Sequence, residues 1–150
     1  MSAVRIIEGE EADYLRTEYL TTFIDKESEH YRQYIGTRTQ FEDGEAYTGY
    51  LWDCFKTKRL IAEATAKKHM ERSGQILIMW DIHSKERIFI PHYWKFPKSA
   101  LLELPAKSFE TMLPSLPEDI YVFDFNFTWT FALTHEELKP GKRLCLHIGL

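Results

Sequence analysis

Apolar residues recur at three- and four-residue steps early in the chain, at Ala12, Leu15, Tyr19 and Phe23. This spacing predicts an amphipathic helix between Glu8 and Lys26, with acidic residues in its first turns. Thr, Gln, Asp and Gly between Thr37 and Glu45 read as a loop. The aromatic stretch Tyr47–Phe55 (YTGYLWDCF) reads as a strand, although Leu51 and Phe55 also suit a helical turn. Leu60–Arg72 is alanine-rich and unbroken, a helix that Ser73 and Gly74 stop.

The second half reads as sheet. Gln75–Ile82 and Arg87–Tyr93, separated by the polar Ser84-Lys85-Glu86, predict a hairpin. Pro97–Met112 reads as two helical pieces broken at Pro105. Between Ile120 and Glu136 the chain runs IYVFDFNFTWTFALTHE. With Phe125-Asn126 as the turn, Val122 lies opposite Trp129 and Ile120 opposite Phe131. Ile120, Val122, Phe127, Trp129, Phe131 and Leu133 then form the core face, and Tyr121, Phe123, Thr128, Thr130, Ala132 and Thr134 the other. After a turn at Lys139–Lys142, Arg143–Ile148 supplies a last strand with Leu144, Leu146 and Ile148 inward. These elements amount to a single α+β domain, a mainly antiparallel sheet packed against helices.

Composition narrows the class. With 150 residues, ten Phe, eight Tyr and four Trp, the chain has ample material for a core. A net charge of −4 disfavours a general nucleic-acid binder. The longest apolar run, Ile76–Trp80, is far short of a membrane span. Acidic residues interrupt the first segment where a signal sequence would need an apolar stretch, so a cytoplasmic protein is expected. Residues 1–53 hold twelve acids against five bases, whereas residues 56–72 hold six bases against two acids. Glu10, Glu11, Asp13, Glu18, Glu42, Asp43 and Glu45 are therefore candidate contacts for a basic protein partner. Weak nucleic-acid binding through residues 56–72 is a lesser possibility, since Leu60–Arg72 carries no interleaved aromatics.

Local motifs for chemistry are absent: there is no G-x-S-x-G, P-loop, G-x-G-x-x-G or H-E-x-x-H. Cys54 and Cys145 lie among apolar residues and read as inert, buried thiols. Asp81 and His83 would share one face of a strand of the predicted hairpin, with His92 on the partner strand, more simply as exposed polar groups than as a metal site. Asp124 reads as a turn former. About eight residues at ~3.3 Å each keep it over ~20 Å from His135, which excludes a direct pair. No catalytic residue, metal or cofactor is assigned. The alternative is an enzyme whose site assembles His83, His92, His135 and Glu136 from distant parts of the chain.

Two segments carry a resemblance. Gly49-Tyr50-Leu51-Trp52 with Phe55, and Asp119–Asp124 with Phe127, Trp129-Thr130 and Thr134-His135-Glu136, resemble a family of short, uncharacterised bacterial proteins. The second segment also looks like the closing hairpin of small bacterial proteins that include toxin-neutralising immunity proteins. The resemblance implies an α+β fold and a bacterial, cytoplasmic setting, and transfers no catalytic residue. The combined expectation is a non-enzymatic protein-binding module of immunity or inhibitor type.

Overall fold

In a computed structural model, which describes residues 4–42, 44–83 and 96–150, the chain forms an α+β fold. Its strands are β1 (Arg5–Ile7), β2 (Thr39–Phe41), β3 (Gly44–Ala46), β4 (Arg59–Leu60), β5 (Gln75–Trp80), β6 (Leu101–Pro105), β7 (Ile120–Phe123), β8 (Thr130–Lys139) and β9 (Lys142–Ile148). The α-helices are α1 (Gly9–Phe23), α2 (Glu63–Glu71) and the single turn α3 (Phe109–Met112). Among the described residues, seven strands make one sheet in the order β1-β6-β5-β7-β8-β9-β4, with every neighbouring pair antiparallel. β2 and β3 form a separate small ribbon.

Both faces of this sheet are covered, which explains its uniformly apolar central strands. On one face α1 lays Ala12, Leu15, Tyr19 and Phe23 over Leu77, Met79, Tyr121, Phe123, Ala132 and Leu146. These are the four helix positions the spacing picks out. On the other face α2 brings Ala66 and Met70, and α3 brings Phe109, against Ile76, Ile78, Trp80, Leu102, Leu104, Ile120, Val122, Phe131 and Leu133. Each large side chain so enclosed stabilises the fold by about 1.5–3 kcal/mol relative to leaving it exposed.

The β7–β8 hairpin confirms the sorting of faces but corrects its register and its environment. Val122 lies opposite Phe131 and Ile120 opposite Leu133, two residues from the expected pairing. A two-residue slip preserves side-chain parity, so the sets survive. The longer loop has a local cause: the Asp124 carboxylate accepts from the Thr128 and Trp129 N–H groups at 2.8 and 3.3 Å. Phe127, at φ 54°, leaves its expected face and packs beside Phe123 at 5.7 Å. The second face is no exterior, because Tyr121, Phe123, Thr130 and Ala132 are completely buried under α1.

Four further expectations are corrected. Residues 37–45 include the β2–β3 ribbon rather than only a loop. The helix expected from Leu60 starts at Glu63, since Arg59–Leu60 extends the sheet edge against His147 and Leu146. Leu101–Pro105 is not helical: it is β6, hydrogen-bonded between β1 and β5. Short runs of leucine suit either state, and sheet pairing on both sides overrode the helical preference of Leu and Glu. Tyr47–Phe55 is not a strand but leads into a 3₁₀ turn at Leu51–Cys54. The expected second strand Arg87–Tyr93 and its turn lie outside the described residues; the partners observed for β5 are β6 and β7.

Candidate functional site

Alternation along β5 turns Leu77 and Met79 toward α1, and the next residue in that series is Asp81. A strand that ends one residue earlier thus delivers a carboxylate into the core, where Asp81 is 3% exposed. Three donors meet it. The hydroxyls of Tyr47 and Tyr121 donate at 2.7 Å each, to Oδ1 and Oδ2, and the Leu51 N–H donates to Oδ1 at 3.0 Å. The Trp52 N–H donates in turn to Tyr121 Oη at 3.0 Å. A helical turn leaves its first N–H groups without internal partners. Here Asp81 and Tyr121 satisfy them from another part of the chain, which is why the aromatic segment turns instead of extending. Burial pushes the Asp81 carboxyl above the usual carboxylate range, opposed by His83 and by the hydrogen bonds from Tyr121 and Tyr47.

Beside this centre, His83 Nε2 donates to the Gly49 carbonyl at 2.6 Å. Gly49 has to lack a side chain: a Cβ there would lie 2.6 Å from Tyr34 Cβ and 2.7 Å from His30 Nε2. The half-buried Tyr50 ring is surrounded by Trp52 at 5.4 Å, His83 at 5.0 Å and His135 at 5.3 Å. Its hydroxyl is pushed up to about 12, first by desolvation and then by Asp119, Asp81, Glu136 and Asp53. Asp119 grips His135, accepting from its backbone N–H at 2.9 Å and lying 2.9 and 3.0 Å from Nδ1 through its two carboxylate oxygens.

The sequence-derived candidates therefore separate. His83 and His135 converge on Tyr50, with exposed Glu136 next to His135. His92 and Asp43 lie outside the described residues. Asp81 and His83, expected at the surface, are buried, because Tyr47, Leu51 and Tyr121 close around the first and Gly49 and Tyr50 around the second. Asp124 holds its own loop, as expected of a turn former. Among the described residues no group of three His, Cys, Asp or Glu side chains is arranged to hold a metal ion. Tyr47, Tyr50, Asp119 and Tyr121 were missed as polar partners. Their separation in sequence left no local spacing that could reveal them.

The acidic candidates occupy two places. On α1, Glu10 and Asp13 are exposed and Glu18 is half-buried, while Glu11 is paired with Arg5 at 3.1 Å. Glu42 and Glu45 are exposed at the β2–β3 ribbon. That ribbon is linked to the middle of α1 through Lys98, whose Nζ donates to the Gly44 carbonyl at 3.3 Å and whose own carbonyl, like that of Ala100, accepts from Arg16.

The chain matches the family described as "Domain of unknown function (DUF4275)" over residues 3–143, and it belongs to that family. No curated protein and no solved structure matches it. Among the described residues no helix is long and apolar enough to cross a membrane.

Proposed function

We propose that the chain is a non-enzymatic protein-binding module of immunity or inhibitor type, acting in a bacterial cytoplasm on a basic partner through the outer face of α1. One observation carries this reading: Tyr14, 60% exposed, stands on α1 between Glu10 and Glu18, one turn away on either side, with Asp13 adjacent. Tyrosine is a favoured anchor at protein interfaces, and surrounding acids raise the encounter rate with a basic surface. Nearby cations do little to neutralise this face. Arg16 turns inward and donates to the carbonyls of Trp80, Lys98, Ser99 and Ala100 at 3.0–3.2 Å. Arg5 is held by Glu11 and Glu103.

The test is a salt-dependent pulldown with the wild-type chain and the Glu10→Lys/Asp13→Lys/Glu18→Lys variant. A basic protein retained by the wild type at low salt, lost at high salt and never retained by the variant is expected. Equal retention by both removes the reading.

A specific observation favours a second reading, an enzyme. Asp119 orients His135 as a carboxylate orients a catalytic imidazole, beside Tyr50 and the Trp52 indole N–H, which is buried without a partner among the described residues. A small-molecule thermal-shift screen on the wild type and His135→Gln tests it; a shift confined to the wild type would favour catalysis or ligand binding there. Nucleic-acid binding through residues 56–72 is less well supported, because Lys67 is paired with Glu63 at 2.7 Å and Glu110 at 2.5 Å.

A further inference from the structure

We infer a second docking surface, unrelated in position and in sign of charge to the acidic face of α1: a groove along the free margin of β9 that takes an extended segment of a partner protein with alternating acidic and apolar side chains. The groove encloses about 460 Å³ between residues 60–64 and the β8–β9 turn. Two of its lining residues, Leu60 and Leu138, are 60% and 57% exposed, which makes them the most exposed large aliphatic side chains among the described residues. Isolated exposed leucines are ordinary, but two lining one concavity mark a binding surface.

Charge specifies the occupant. Lys139, Lys142 and Arg143 contribute to the lining, and its one acid, Glu63, is already held by Lys67 at 2.7 Å. Among the described residues Lys139 and Lys142 make no ion pair, so the wall presents uncompensated positive charge.

The backbone specifies an extended conformation. β4 covers β9 only at His147 and Leu146, and the Ile61 N–H then bonds to the Cys145 carbonyl at 3.1 Å before the chain turns into α2. The Leu144 carbonyl points the opposite way, accepting from Thr134 Oγ1 at 2.9 Å. Strand alternation therefore aims the peptide groups of Arg143 at the groove, past the end of β4. A partner strand can pair there, seating alternate apolar side chains on Leu60 and Leu138 and acidic ones by Lys139 and Lys142.

The test titrates the isotope-labelled chain with the blocked peptide Val-Glu-Val-Glu-Val and follows amide resonances. Expected are shifts confined to residues 60–64 and 138–143, with slower amide exchange at Arg143. Lys139→Glu/Lys142→Glu should weaken binding by about tenfold or more, and Leu138→Glu, at an exposed position, should weaken it while leaving the melting temperature unchanged. The inference is overturned if those amides do not move at millimolar peptide, if the lysine counterpart Val-Lys-Val-Lys-Val binds equally, or if decanoate occupies the groove while the peptide does not. Neither peptide arm involves α1, so loss of binding by the α1 lysine variant bears only on the first surface.

Discussion

Removing one hydroxyl, by Tyr121→Phe, tests whether the Asp81 centre holds the fold together. The ring is fully buried, and the substitution keeps its volume. The lost oxygen donates to Asp81 Oδ2 at 2.7 Å and accepts from the Trp52 N–H at 3.0 Å. A hydrogen bond to a charged group is worth about 1.5–3 kcal/mol, and an orphaned buried N–H costs about 1–3 kcal/mol. Once the hydroxyl's own desolvation is subtracted, the net loss is about 3 kcal/mol. Tyr47→Phe removes the bond to Oδ1, which retains the Leu51 N–H, and should cost about 1.5 kcal/mol. For a chain of this size these losses lower the melting temperature by about 6–12 °C and about 3–6 °C. Both hydroxyls serve one carboxylate, so the double variant should lose less than the sum of the singles. Urea unfolding followed by tryptophan fluorescence measures all three. A Tyr121→Phe cost below about 1 kcal/mol, or one smaller than that of Tyr47→Phe, would refute the assigned geometry.

Four other outcomes follow from the same packing. Gly49→Ala forces a methyl against Tyr34 Cβ and His30 and should cost about 1–3 kcal/mol or more in urea unfolding. Trp129→Ala empties a site stacked on Phe131 in the α2-side core and should cost about 3–5 kcal/mol, whereas Thr128→Ala, at an exposed position, should cost under about 1 kcal/mol. Burial pushes the Cys54 and Cys145 thiols up to about 12, so neither should react with a thiol reagent near pH 8 until the chain is unfolded in denaturant. Because Asp81 is raised from 3.8, the folded state holds its proton more tightly than the unfolded chain; that contribution to stability is complete below 3.8 and fades as pH rises through the folded-state value, so Asp81→Asn should flatten this part of the profile of unfolding midpoint against pH.

The candidate site shows where reading along the chain stops working. The α1 positions Ala12, Leu15, Tyr19 and Phe23 were legible because a helix repeats its buried face every three or four residues. The β7 and β8 faces were legible because strand parity survives an even slip in register. Asp81 was misplaced because polarity implies exposure on average, and only three donors from 30 to 40 residues away reverse that implication. β6 was misread for a related reason: Leu101–Leu104 owes its conformation to neighbours on both sides of the sheet.

Sequence by itself determined the α+β class, the helix that covers one face of the sheet and the division of the main hairpin into two sets of side chains. Each of these rests on a periodicity contained within a dozen or so residues. Tertiary structure alone decided that Tyr121, Phe123, Thr130 and Ala132 are buried as well as the expected core face, that Tyr47, Tyr121 and two peptide N–H groups converge on Asp81 or its partner, and that Leu60 and Leu138 face one groove. The physical reason is that desolvating a carboxylate, or leaving a leucine in water, is a property of what the rest of the chain brings to that place.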